Sequence, residues 1–213
     1  MPVRTGLIAG GGIAALGLVG LALYGSGLVG GNGISAGSPC SGSAPALPRV
    51  AAASRGQVAA MQAPARPKPE PDIRFKGPEG TETTLADMRG RLLLVNLWAT
   101  WCAPCKAEMP ALDRLQGTLG GPDFTVVAIN VDTRNLDKPA EWLKQAGIQH
   151  LPFYADPGGR VLPIFQREAD SAGLPTTMLI DGAGCTIGIM KGPADWSSPD
   201  GLALIRAALG RTS

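Results

Sequence analysis

Leu92-Leu93-Leu94-Val95-Asn96-Leu97-Trp98-Ala99-Thr100-Trp101-Cys102-Ala103-Pro104-Cys105 carries no charge from end to end. Its first seven residues are almost continuously apolar, as a strand buried on both faces should be. Ala103 to Leu119 then reads as a helix, with Pro104 in the first turn, where a backbone N–H has no partner to lose. Cys102 therefore falls at a helix N-terminus, whose unpaired amides and positive dipole end favour a thiolate. The two-residue spacer sets Cys105 one turn along, close enough to attack a mixed disulfide on Cys102. One sulfur that attacks and a second that resolves is the chemistry this spacing fits. A zinc half-site is the alternative, but zinc needs a second Cys or His pair at short spacing. The sequence offers a single histidine, His150, and two cysteines far apart, Cys40 and Cys185.

Outward from this stretch, strands and helices alternate. Ile73 to Phe75 and Thr83 to Leu85 flank the turn Gly77-Pro78-Glu79-Gly80 as a short hairpin. Phe124 to Val131 is a second buried strand. Lys138 to Ala146 is helical and ends at Gly147, and a short helix follows from Leu162 to Ala169. Strands Thr176 to Ile180 and Cys185 to Met190 flank the turn Asp181 to Gly184, and Pro199 to Leu209 is a last helix. This order predicts an α/β fold, a mixed sheet flanked by helices on both faces. Its domain spans 72–213.

The N-terminal third differs in kind. No charged residue occurs between Thr5 and Pro48. The run from Gly6 to about Val29 is apolar, and roughly 22 helical residues at ~1.5 Å each cover the ~30 Å core of a bilayer. Residues 1–31 thus predict an uncleaved membrane signal anchor, with Arg4 holding the N-terminus in the cytoplasm and the rest translocated. Residues 32–71, rich in Gly, Ser, Ala and Pro, predict a linker that buries no core. The glycines from Gly10 to Gly12 resemble a dinucleotide turn, but the acid such a turn needs some 20 residues on is missing; the first acid is Glu70. Without Arg4, the 19 basic residues become 18, against 17 acidic ones, a balance that excludes a nucleic-acid surface.

The block Asn96 to Pro110, with Trp101-Cys102-Ala103-Pro104-Cys105 at its centre, resembles the active-site block of the TlpA/ResA/CcmG branch of thioredoxin-like proteins. Gly173-Leu174-Pro175-Thr176-Thr177, followed by Leu179-Ile180-Asp181, resembles that branch's cis-proline loop. The resemblance covers about Asp72 to Arg211 and leaves room, from about Thr133 to Tyr154, for the branch's strand–helix insert. It implies a thioredoxin-like fold with an N-terminal hairpin and that insert. Pro175 would be cis, so that its loop lies against the cysteines and offers a backbone edge to a partner's extended chain; a generic loop proline is the other reading. Trp101 would shield the disulfide, or else be a core aromatic. Glu108, one turn past Cys105, would move the proton of Cys105 during exchange if partly buried; a solvated helix residue is the alternative. Thr176, Ala103 and Pro104 complete the active-site loops.

Cys40 and Cys185 occupy positions that TlpA-type members of the branch also fill with cysteine. They are expected to form a structural bridge in an oxidising compartment. About six strand residues at ~3.3 Å each put Cys185 roughly 20 Å from the active site, too far to resolve a disulfide on Cys102. The resemblance further implies an enzyme that needs no cofactor or metal, on the inner (cytoplasmic) membrane, with its domain in the periplasm. It would reduce disulfides of client proteins in cytochrome and cytochrome-oxidase assembly and be re-reduced by a membrane electron carrier. Two other functions remain open: a copper chaperone of the Sco type, which wants a wider cysteine spacing with a poised histidine, and a general disulfide oxidant. A thiol peroxidase wants a single reactive cysteine in a Pro/Thr-rich loop.

Overall fold

The computed structural model describes residues 39–211, which lie in one compact unit. The expected membrane anchor (1–31), the glycine turn within it and the first residues of the expected linker lie outside the described residues. Among those described, no helix is long and apolar enough to cross a membrane.

An eight-stranded mixed sheet carries the fold, in the order β1 (Lys68–Pro69), β8 (Cys185–Lys191), β7 (Thr176–Ile180), β4 (Leu92–Trp98), β5 (Phe124–Asn130), β6 (Tyr154–Ala155), β2 (Arg74–Lys76) and β3 (Glu82–Thr84). At its centre β4 (Leu92–Trp98) runs parallel to β5 (Phe124–Asn130) and antiparallel to β7 (Thr176–Ile180). Every residue of β4 and β5 is buried. Because alternate side chains point to opposite faces, both faces of these strands must be covered. The covering helices are α2 (Ala103–Leu119), α3 (Lys138–Gln145), α4 (Val161–Ala169) and α5 (Pro199–Ala208). Outside β7 runs β8 (Cys185–Lys191), joined by the turn at Asp181, whose side chain accepts from the N–H groups of Ala183 and Cys185. On the other flank, β6 (Tyr154–Ala155) runs parallel to β5. The hairpin of β2 (Arg74–Lys76) and β3 (Glu82–Thr84) then adds to β6. The predicted insert is thus α3 and β6, and Gly147, at φ 71°, closes α3 in the left-handed conformation that glycine tolerates.

The expected linker is the reading the structure overturns. From Cys40 the chain is part of the fold, not a tether. After a 3₁₀ turn at Ser41–Ser43 comes α1 (Ala46–Ala53), which packs against α5 and β8. Val50 and Val58 are fully buried, and Met61 nearly so. Gln62 exchanges both backbone hydrogen bonds with Ile189 of β8, at 2.8 and 2.9 Å. Then β1 (Lys68–Pro69) pairs with β8, placing Pro69 opposite Cys185. At Gly188 a Cβ would lie 2.7 Å from the Met61 sulfur and 3.5 Å from Val50, so this glycine is what lets the segment approach β8. Averaged over the forty residues 32–71, the composition hides what holds this segment. What decides is a few apolar anchors, which grip because β8 supplies a surface.

Candidate active site

The loop from Ala99 to Cys102 joins β4 to α2, and its conformation is pinned from β5. Asp132, just past that strand, accepts from the Thr100 N–H at 2.8 Å and from the Thr100 hydroxyl at 3.0 Å. Asn130 donates to the same carboxylate at 2.7 Å. Cys102 is thereby held in extended conformation as the N-cap of α2, and its sulfur accepts the N–H of Cys105 at 3.3 Å. That amide is one of the orphan donors of the first turn, so it and the helix dipole stabilise negative charge on this sulfur. Cys102 and Cys105 are joined as a disulfide, with Cα atoms 5.3 Å apart. Cys102 is 6% exposed and Cys105 not at all, which makes Cys102 the one an incoming group can reach.

Trp101 is 67% exposed, and this rules out a core aromatic. With Lys106, Arg134 and Trp142, it lines a cleft of about 620 Å³ beside the cysteines. Lys106 reaches over the Trp142 ring, 5.7 Å from its centroid, and Trp142 packs against Trp98 of β4.

The Leu174–Pro175 peptide is cis. Thr176, which follows it, pairs with Leu97, so the Pro175 loop and the cysteine loop emerge at the same end of the sheet. Gly192 donates its N–H to the Pro175 carbonyl at 3.0 Å, and the Thr176 hydroxyl donates to the Gly173 carbonyl at 2.7 Å.

Glu108 is not a solvated helix residue. It is 3% exposed. Three donors hold its carboxylate: Asn96 Nδ2 to Oε1 at 2.8 Å, and the Ala194 N–H and Trp196 Nε1–H to Oε2 at 3.0 and 3.1 Å. Burial pushes its carboxyl up to about 7, against a partial opposing effect of the three donors. A carboxyl that titrates near neutrality one turn past Cys105 is fitted to accept and return a proton.

Two cysteines at a helix N-terminus, a cis-proline loop beside them and a buried acid behind them make a constellation that can be compared with known proteins. Residues 68–186 match the AhpC/TSA family. The chain belongs to that family. Within it, the chain stands with the thiol:disulfide oxidoreductases. It is 33% identical over 130 residues to the thiol:disulfide interchange protein HelX of Rhodobacter capsulatus, covering 59% of this chain and 68% of that protein. It is 34% identical to the thiol-disulfide oxidoreductase ResA of Geobacillus thermodenitrificans, covering 57% and 67%. A solved thiol:disulfide interchange protein of the thioredoxin family from Chlorobium tepidum is 31% identical, with a TM-score of 0.56, over 70% of this chain and all of that one. The fold is thioredoxin-like.

In this thiol:disulfide oxidoreductase the second cysteine pair lies elsewhere. Cys40 and Cys185 form a disulfide with Cα atoms 5.7 Å apart, and both are buried. Thr176 pairs with Lys191 and Ile180 with Thr186, so Cys185 stands at the end of β8 away from the Pro175 loop. His150 has no part in the site: its Nδ1 is 3.0 Å from Asp113 on α2. Among the described residues, no three His, Cys, Asp or Glu side chains cluster as a metal site.

Reading the sequence missed the partners of Glu108 and the anchor of the loop. Asn96 carried a signal, since an amide in the middle of an apolar strand must find a hydrogen bond in the interior. Asp132 carried a weaker one, at the end of the second apolar strand. Ala194 and Trp196 lie 86 and 88 residues beyond Glu108, and nothing near them in sequence connects them to it.

Proposed function

We propose that this chain is a membrane-anchored reductant of protein disulfides, working outside the cytoplasm through Cys102 and Cys105. Residues 1–31 would be the anchor and the inner-membrane periplasm the compartment. The observation that carries the reading is the placement of the two sulfurs. Cys102 caps α2 and is within reach of a partner, while Cys105 is fully buried behind it. The Cys102 thiolate attacks one sulfur of a client disulfide, forming a mixed disulfide and releasing the other sulfur as a thiolate. Cys105 gives its proton to Glu108 and attacks the Cys102 sulfur. The client leaves with both sulfurs reduced, and the Cys102–Cys105 disulfide remains, carrying the two-electron oxidation. A membrane electron carrier would then restore the dithiol. The client's extended chain would meet the backbone at Leu174, because the Gly173 and Pro175 carbonyls are already bonded to the Thr176 hydroxyl and the Gly192 N–H.

The resemblance to the TlpA/ResA/CcmG branch supplies the client class: proteins of cytochrome and cytochrome-oxidase maturation, whose haem- or metal-binding cysteines must be kept reduced. The buried Cys40–Cys185 bridge supports an oxidising compartment. A Cys105→Ser variant of the full-length chain tests the reading, since it strands the mixed disulfide on Cys102. The expected result is reducible adducts through Cys102 to extracytoplasmic proteins that bind haem or copper. An absence of adducts, or capture only of proteins that gain disulfides from this chain, would contradict it.

A further inference from the structure

Trp196 is among the largest fully buried side chains of the protein, and packing alone would account for a tryptophan in the core. Trp98 is such a case: it is equally buried, and no acceptor meets its indole N–H. Trp196 differs, because its N–H lies 3.1 Å from Glu108 Oε2.

The donors around Glu108 are shared unequally. Oε2 receives two, the Trp196 indole and the Ala194 backbone, both from the loop between β8 and α5. Oε1 receives one, from Asn96. A carboxylate oxygen has two lone pairs. Those of Oε2 are both occupied, and one on Oε1 stays open. The torsion that would exchange the two oxygens is intrinsically soft, so holding them apart takes donors fixed elsewhere in the fold. Glu108 also borders a cleft of about 420 Å³ lined by Ala107, Arg114, Ala194 and Asp195, which shares no residue with the cleft at Trp101. Oε1 faces β4 instead, where the Asn96 amide also donates to the Thr177 hydroxyl, at 2.9 Å, on the strand that follows the cis-proline.

We infer that Trp196 is a positioning residue for Glu108: its indole N–H, with the Ala194 amide, locks Oε2 and leaves Oε1 as the oxygen that takes up and releases the proton. The inference rests on the reading of Glu108 as proton carrier in disulfide exchange. An indole N–H donates and never accepts, and its bond to Oε2 is stronger when the carboxylate is ionised than when Oε2 is the carbonyl oxygen of the neutral acid. Asn96, by turning its amide, can instead accept from a proton on Oε1. No ion pair involves Glu108 among the described residues; Arg114 and Asp195 line the second cleft, Thr177 and Asn96 are neutral, and Cys102 and Cys105 are joined as a disulfide. Trp196 is thus the side chain whose loss acts in one direction only. Without its hydrogen bond the ionised form is weakened, and Glu108 holds its proton to higher pH.

Two variants of the full-length chain test this. Trp196→Phe removes the N–H along with some packing. Benzothienylalanine at position 196 keeps the fused rings and puts sulfur where the N–H was. The readouts are the Glu108 titration, followed by the ¹³C carboxyl resonance and assigned with Glu108→Gln, and the pH profile of disulfide exchange. Loss of one hydrogen bond to a charged acceptor should raise the midpoint by roughly one unit in both variants, and the exchange profile should move with it. A midpoint that stays put in the benzothienylalanine variant overturns the inference, as does a shift to lower pH. A midpoint that rises while the exchange profile stays fixed supports the role of Trp196 and instead contradicts the use of Glu108 in exchange.

Discussion

The two disulfides of this protein are built from the same bond and placed for opposite ends. Cys102–Cys105 closes three residues, Cys40–Cys185 closes 145. The short one caps a helix whose first amides stabilise a thiolate, and one of its sulfurs is within reach of a partner. The long one ties the start of the described chain to the end of β8 away from the Pro175 loop, beneath paired backbone on both strands. On the proposed function, redox activity follows from where a cysteine stands, since all four are buried and disulfide-bonded.

Opening the long bridge should have the largest effect on stability. For a 145-residue loop the chain-entropy treatment gives about 5 kcal/mol, an upper figure. Denaturation of a Cys40→Ser/Cys185→Ser variant should show a loss approaching that value, with amide protection falling first across α1 and β1. Disulfide exchange at Cys102 should persist under conditions where the variant is folded. Exchange lost in the folded variant would erase the contrast between the two bridges.

A smaller effect sharpens the contrast from the side of the active bridge. The Glu108 carboxyl, near 4.5 in an unfolded chain, is pushed up to about 7 by burial. Between those values the native protein holds a proton that the unfolded chain has lost, so stability falls as pH rises from about 4.5 to about 7 and stays reduced above. At ~1.4 kcal/mol per unit this amounts to about 3 kcal/mol. Glu108→Gln, which cannot ionise, should therefore match the native protein near pH 4 and exceed it in stability at pH 8 by up to that amount. It should also flatten the pH dependence of exchange. Equal stability at both pH values would mean that the buried carboxyl carries no such proton. The active bridge, unlike the structural one, sits on a partner that makes the fold less stable at neutral pH.

The same contrast runs through what could be read in the sequence. Around the active bridge nearly everything was legible. Strand 92–98 and helix 103–119 follow from a nearly unbroken apolar run and from Pro104 after a capping cysteine, both local signals. Glu108 could be placed because helical spacing sets it one turn past Cys105. Around the structural bridge the pairing was legible and its surroundings were not. The segment from Cys40 to Pro71 was expected to be a linker, yet it folds through Val50, Val58, Met61 and a two-residue strand ending in proline. Those anchors depend on β8 and α5, more than a hundred residues on, and a strand that short has no alternation to read. Trp196 failed to announce itself for the same reason: its role exists only across the fold.

The central claim, that one bridge exchanges and the other holds, is tested most directly by graded reduction. The folded full-length chain is equilibrated in dithiol buffers of increasing reducing strength, alkylated under limiting reagent, and its peptides are mapped by mass. The expected sequence is label on Cys102 first, Cys105 only after unfolding or prolonged exposure, and a Cys40–Cys185 peptide recovered intact until the protein unfolds. Label on Cys40 or Cys185 at the potential that opens Cys102–Cys105, or on Cys105 ahead of Cys102, would contradict it.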